Sequence, residues 1–370
     1  MKPRGLRTAT DLVLLGAGHA QVEVLRRFVR RPVPGLGLVL IAREPCTPYS
    51  GMLPGVIRGE YPPGQACIEL APLAAAAEAR LIVAEAVAID LGARRVRLAN
   101  GAAVRFDLLS IDVGGVQALP PGTGGGGGGA VPVKPIGRIM DQLATLEATL
   151  PVDARIAVVG AGAAGSELAL ALARRWGRTQ ILLVGAGREP LVEAPAAARR
   201  VVRAALAAAG IAVRSDVRAE QFEAGRLMLS DGSTEAVTAA LWAGGVIGPG
   251  FLRASGLACD TSGCVRVAAT LQSVSHPGVF AAGDCAAVEG AARPKAGVWA
   301  VRAGPVLAAN LRRAIQGEVL RPWRPQRRAL AILGLGNGNA VAWRGRWSLS
   351  GRLVARWKAW IDRRWLVRYR

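Results

Sequence analysis

Two glycine-rich turns carry the residues best suited to chemistry in this chain of 370 residues. The first reads Gly16-Ala17-Gly18-His19-Ala20-Gln21, and the second reads Gly160-Ala161-Gly162-Ala163-Ala164-Gly165-Ser166-Glu167. Each follows a short apolar run and precedes apolar residues at helical spacing, so each is read as strand, turn and helix. Such a turn suits a diphosphate. Its first glycine allows the tight bend, its second lets the backbone come close, and the helix beyond supplies free N–H groups and a positive dipole end. The second turn completes G-x-G-x-x-G with Gly160, Gly162 and Gly165. The first has Gln21 in the third place, and a strand–helix turn without a ligand is its competing reading.

Other residues fall into place around these turns. Val279-Phe280-Ala281-Ala282-Gly283-Asp284 ends an apolar strand in a carboxylate able to accept a hydrogen bond from a sugar-alcohol hydroxyl. Ile111–Gly115 (IDVGG, with Gly114) and Trp242–Val246 (WAGGV, with Gly244) are apolar strands ending in paired glycines, where a chain crosses close to a nucleotide. After the second turn no acid closes the next strand, because Val184 is followed by Gly185 and then Arg188. An acid there binds a ribose 2′-OH and repels a 2′-phosphate, so its absence leaves NADPH open beside NADH. The chain has four lysines, and Lys134 and Lys295 are read as cations that either face a cofactor or lie solvated.

Composition excludes several classes. Apolar residues make up 51%, enough for packed cores and too many for a disordered chain. Two histidines argue against a histidine metal centre, and no metal site is expected. Five cysteines are too few for a disulfide scaffold. None lies within residues 16–45. Cys259 and Cys264 form a CxxxxC in a hairpin, Cys285 is read as a buried packing residue, and Cys46 and Cys67 are not read as a convincing pair. A dithiol mechanism is therefore disfavoured. The N-terminus lacks the apolar core of a signal peptide. The two long charge-free stretches, 113–133 and 236–252, carry Gly and Pro and do not read as membrane spans. A cytoplasmic protein is expected, one able to sit on the inner face of a membrane. The net charge of +21 is read first as a solvated basic surface over most of the chain, and second as favouring anionic partners. No nucleic-acid recognition motif is present.

The elements that must position these residues form an α/β chain with two Rossmann-like units. The expected organisation is 1–119 as the first part of an FAD domain, 120–135 as a mobile Gly-rich interdomain loop, 136–250 as an inserted NAD(P)H domain, 251–320 as the second part of the FAD domain, and 321–370 as a C-terminal β/helical extension. Residues 343–370 hold nine Lys/Arg against one Asp, and five of the nine tryptophans. Leu353, Trp357, Trp360, Ile361 and Trp365 are read as one helical face, which either meets an anionic membrane or packs on protein.

The order of these motifs resembles the two-dinucleotide-binding flavoproteins, the pyridine nucleotide-disulfide oxidoreductases. Thr47–Gly55 (TPYSGMLPG) and the helix after Gly283-Asp284 look more particularly like type II NADH dehydrogenases. Residues 293–314 and Trp357–Trp365 (WKAWIDRRW) resemble the oxidoreductase module fused to selenide, water dikinase, here expected without its kinase. The resemblance covers nearly the whole chain. It implies FAD on Gly16, Gly18, His19, Ala20, Gly283 and Asp284, with Glu44 toward the adenosine ribose and Thr47–Pro54, Pro48 among them, along the isoalloxazine. It places NAD(P)H on Gly160, Gly162 and Gly165. Glu167 then lies near nicotinamide and flavin, or merely favours its helix dipole. The helix starting at Gly297 and Val298 is expected to aim amides at the flavin, with Lys295 and Lys134 adding charge. Hydride transfer would belong to the cofactors.

The acceptor is the open part. Type II dehydrogenases carry A-Q-x-A-x-Q where quinone approaches, and here Gly297 and Arg302 replace both glutamines. The leading expectation is an FAD-dependent NAD(P)H oxidoreductase passing electrons to a quinone or other small acceptor. A second is a reductase of selenium or sulfur species acting with selenide, water dikinase. A third is a flavin-bound interaction module that docks on such a kinase, or on a membrane, through residues 351–370.

Overall fold

The computed structural model describes residues 10–121, 123 and 129–370. Most of the Gly124–Gly129 run, read above as a mobile loop, lies outside the described residues.

Two five-stranded parallel sheets dominate. The first runs Val279–Ala281, Leu108–Ile111, Thr10–Leu15, Leu36–Ala42, Arg80–Val83 in spatial order. The second runs Ala130–Pro132, Ala239–Trp242, Arg155–Val159, Gln180–Val184, Ala212–Arg214. Parallel central strands are buried on both faces and so need continuous apolar runs. Leu12 to Leu15 and Ile156 to Val158 meet that need, with at most 1% of any of them exposed. Each sheet carries a three-stranded antiparallel ribbon inserted before a return strand, at 86–105 in the first and 219–236 in the second. The second sheet lies wholly inside the chain span of the first. The two crossings run side by side, because Val116–Gln117 pairs antiparallel with Val246–Ile247. The end of the Gly-rich stretch is not loop, since Ala130–Pro132 adds the edge strand of the second sheet.

The helix His19–Arg30 packs along the helix Gly297–Gln316. Gly304 sets their spacing, because a Cβ there would lie 2.8 Å from Glu23 Cβ and 3.1 Å from the Ala20 carbonyl. The C-terminal residues form a hairpin-and-strand sheet (331–351), then a helix, Arg352–Leu366, and a final turn, Val367–Tyr369. This extension is part of the fold. Trp365 and Tyr369 join the first core at 6% and 5% exposure. Here the structure corrects the single apolar face read from the sequence. Trp365 is buried, whereas Leu353, Trp357 and Trp360 are 77%, 40% and 55% exposed. At about 100° per residue, Trp365 stands roughly 120° around the helix from Leu353, so the two belong to different faces.

Candidate functional site

Gly16 ends the strand Thr10–Leu15 with φ +90°, and any Cβ there would lie 2.4 Å from the Asp112 carbonyl oxygen. Gly18 caps the helix His19–Arg30. Gln21 replaces the third glycine without disturbing the turn, since its side-chain amide turns inward and donates to the carbonyls of Ser110 (2.6 Å) and Leu15 (3.3 Å). His19, half-buried with its Nε2 out of reach of solvent, stands near Asp284 and Lys134. Burial pulls its imidazole down to about 4, so it is neutral at physiological pH, and its Nε2 has no partner among the described residues. A buried ring nitrogen without a partner, at the mouth of a glycine turn, fits a ligand group there. Gly283, at φ +72°, and Asp284 close the cradle from the far strand, and Asp284 is ion-paired with Lys134. Lys134 and Asp284, read from the sequence as separate cofactor contacts, thus meet directly, although the two residues are 150 positions apart.

The second cradle is the more regular. Gly160, at φ +112°, abuts Gly244, whose amide nitrogen lies 2.7 Å from the position of a Gly160 Cβ. Gly165 lets the helix Ala163–Arg175 sit on the turn, where a Cβ would fall 1.7 Å from the Gly160 carbonyl. Gly162 faces open space, leaving a diphosphate room to approach.

Other expected residues are placed as follows. Gly114 is at φ +73° and faces open space. The Glu44 carboxylate lies against Gly137, in the segment between the strands Ala130–Pro132 and Arg155–Val159 of the second sheet. Pro48 ends a short strand, Cys46–Pro48, that Thr47 fastens to the first turn by a 2.7 Å bond from Oγ1 to the Ala17 carbonyl. Gly297 opens the helix Gly297–Gln316, followed by Val298, against Ser50. Lys295 is drawn away from the role of a free cofactor-facing cation, because its Nζ donates to the Ala286 carbonyl at 2.8 Å and lies beside Cys264.

Glu167 is brought to an unexpected neighbourhood. Its Oε1 accepts from Gly334 N at 2.8 Å and stands 4.0 Å from Lys358 Nζ. Lys358 also donates to Asp362 (2.9 Å) and to the Gly51 carbonyl (2.6 Å), and Tyr49 OH donates to the other Asp362 oxygen at 3.1 Å. Burial raises the Glu167 and Asp362 carboxyls above their usual range, against the pull of Lys358. For Lys358 burial opposes the charge, but the two carboxylates outweigh it and hold the ammonium above its ordinary value. Arg58 adds a largely buried guanidinium, bidentate to Glu60, with Nη1 unpartnered among the described residues. A cavity of about 50 Å³, room for a few waters, lies between Arg58, Asn339, Lys358 and Asp362. Sequence reading gave no role to Arg58, Lys358 or Asp362, and took in Tyr49 only as part of the Thr47–Pro54 segment. Lys358, one of only four lysines, was the available signal.

Over the first cradle, Trp365 stacks on Tyr49 at 4.3 Å and lies 5.0 Å from the His19 ring. Tyr369 OH donates to Glu23 at 3.1 Å. The cysteines bring a further correction. Cys46 and Cys67, not read as a pair, form a disulfide with Cα atoms 5.9 Å apart. Strands Cys46–Pro48 and Cys67–Glu69 run antiparallel with Pro48 opposite Cys67, and this register brings together thiols 21 residues apart. Cys259, Cys264 and Cys285 are free. Cys285 is fully buried, and its Sγ lies 3.2 Å from the Ala282 carbonyl.

Comparison with known proteins agrees with this geometry. Residues 10–304 match the family described as pyridine nucleotide-disulphide oxidoreductase. The demethylphylloquinone reductase NdbB of Synechocystis sp. is 30% identical over 271 residues, covering 70% of this chain and 67% of that protein. Among solved structures, NDH2 of Plasmodium falciparum in complex with NADH superposes with a TM-score of 0.79 at 13% identity, covering 98% of this chain and 97% of that one. The sulfide:quinone oxidoreductase of Aquifex aeolicus gives 0.78 at 19% identity, covering 98% and 92%. Two glycine cradles on two parallel sheets, matched over this span, make the protein an FAD- and NAD(P)H-dependent oxidoreductase, and the chain belongs to the pyridine nucleotide-disulphide oxidoreductase family.

Proposed function

We propose that the chain passes electrons from NAD(P)H, held in the second cradle, to FAD in the first, and from there to a quinone. One observation carries the reading: Lys358 touches both Glu167, on the second cradle's helix, and the Gly51 carbonyl, in the segment fastened to the first. The two sites therefore share one buried polar cluster. When bound, the nicotinamide and flavin supply the hydride chemistry.

The chain's own residues do the rest. Gly18, Gly162 and the two helix starts bind the diphosphates. Asp284, steadied by Lys134, offers its carboxylate to the ribityl hydroxyls. Trp365 and Tyr49 cover the first cradle and exclude water. Reduction of a quinone to a quinol by NAD(P)H takes one hydrogen as hydride and one proton from solvent, and Glu167, Lys358, Asp362 and Tyr49 form a chain of groups able to deliver that proton, beside a cavity with room for water. Carboxyls raised by burial hold protons more readily near neutral pH than exposed ones do, which suits them to donate. The exposed face of Leu353, Trp357 and Trp360, flanked by Arg356, Arg363 and Arg364, is read as resting on an anionic membrane, where quinones dissolve. Among the described residues no helix is long and apolar enough to cross one.

The test is anaerobic. The purified protein is expected to be yellow, to bleach with NADH or NADPH, and to regain colour fastest with a naphthoquinone. Faster recovery with a selenium or sulfur species would replace the acceptor. A colourless protein that takes up no FAD would remove the whole reading.

A further inference from the structure

The first cradle contains an acid that diphosphate binding does not call for. Asp112 follows the strand Leu108–Ile111 and is 2% exposed. Its Oδ2 accepts from the backbone N–H groups of Ala20 (2.9 Å) and Gln21 (3.3 Å), at the start of the helix His19–Arg30. Its carboxyl is wedged between the glycines of both cradle strands. A Cβ on Gly18 would lie 2.3 Å from Asp112 Cγ, and one on Gly283 would lie 2.2 Å from Oδ1. The second cradle has nothing comparable, since the equivalent Gly162 faces open space. So a side-chain anion already occupies part of the positive helix end that would receive the diphosphate. Two anions at one buried helix terminus repel, and neutralising the side chain relieves that.

We propose that Asp112 takes up a proton when the flavin diphosphate enters the first cradle, so that FAD affinity falls as pH rises. This rests on FAD occupying that cradle. Oδ2 remains the acceptor for the two amides, and the proton, drawn from solvent, sits on Oδ1, the oxygen that lies against Gly283.

The neighbouring groups leave this titration to Asp112. On the helix, burial keeps His19 neutral down to about 4. Burial works against the Glu23 charge, but Arg26 and Arg27 hold that carboxyl below its usual value. On the far strand, the Asp284 carboxylate faces the Lys134 ammonium, and burial pushes the Cys285 thiol well up. Burial, opposed by the two backbone bonds and aided by Asp284, brings the free Asp112 carboxyl up to about 7, within the range where binding is measured.

The experiment follows FAD release from the holoprotein on dilution, by free-flavin fluorescence, from pH 6 to 9. Refilling is then followed by calorimetry at pH 8 in phosphate and in Tris, whose ionisation heats differ. The expected result is a Kd that rises about tenfold per pH unit above neutrality, with uptake of about one proton per FAD at pH 8. Asp112→Asn is expected to flatten the profile and abolish the uptake. Wild-type binding without proton uptake overturns the proposal, even if the variant fails to fold. So does an unchanged slope in a folded D112N protein. A protein that binds no FAD at any pH instead defeats the flavin assignment beneath it.

Discussion

Breaking the Cys46–Cys67 disulfide tests how the wall of the first cradle is held. The bond closes a loop between cysteines 21 positions apart that contains Thr47, which is fastened to the Gly16 turn, and Tyr49, which stacks on Trp365. The same segment carries the helix Leu53–Ile57, packed against the helix of the second cradle. Releasing a loop of that length gives the unfolded chain about 3 kcal/mol of conformational freedom. Spread over the unfolding entropy of a chain this size, that lowers the melting temperature by about 4 °C. The segment also lines the cofactor site, so FAD retention is expected to fall with stability. The assay is differential scanning calorimetry of the holoprotein with and without reductant, and of the Cys46→Ser/Cys67→Ser variant. A thiol count in denaturant is its control: three free thiols before reduction and five after. Five thiols without reductant, or identical melting in all three samples, would refute the reasoning.

Gly165→Ala is expected to destabilise the protein by about 1–3 kcal/mol or more, because its Cβ would strike the Gly160 carbonyl, whereas Gly162→Ala folds normally and raises the KM for NAD(P)H; comparable melting of the two variants would contradict this. Glu167→Gln is expected to retain bleaching by NAD(P)H but to slow reoxidation by quinone about 100-fold, read by anaerobic stopped flow, and an unaffected second half-reaction would remove Glu167 from proton delivery. Leu353→Glu with Trp360→Glu is expected to abolish co-sedimentation with anionic vesicles while leaving melting unchanged, since both side chains are exposed. Removing residues 351–370 is expected to destabilise the protein and lose FAD as well, because Trp365 and Tyr369 are core. In the apoprotein the folded Asp112 acid lies above its unfolded value, so its contribution to stability is complete below about pH 4 and lost as pH rises through about 7. The loss amounts to at most about 4 kcal/mol, and the melting temperature of D112N should vary less between pH 5 and 8.

Much of the architecture was legible in the sequence because it is written locally. A buried parallel strand needs an uninterrupted apolar run, and a diphosphate turn needs glycines at fixed spacing. Leu12–Leu15 with Gly16 and Gly18, and Ile156–Val159 with Gly160, Gly162 and Gly165, state both within a dozen residues. The place of Asp284 just beyond a parallel strand was also readable, from an apolar run ending in Gly-Asp. Tertiary structure decided what depends on distant residues meeting. The Cys46–Cys67 pairing needed a strand register. The Glu167–Lys358–Asp362 cluster needed the C-terminal helix folded back over both cradles, joining positions nearly 200 residues apart. Trp365 and Leu353 look alike on a helical pattern, and only packing separates the covered side from the open one. Asp112 passed unnoticed beside its glycines, because a sequence names a carboxylate but not the water taken from it. That desolvation, set by the closing of two strands and a helix around one side chain, exists only in the folded protein.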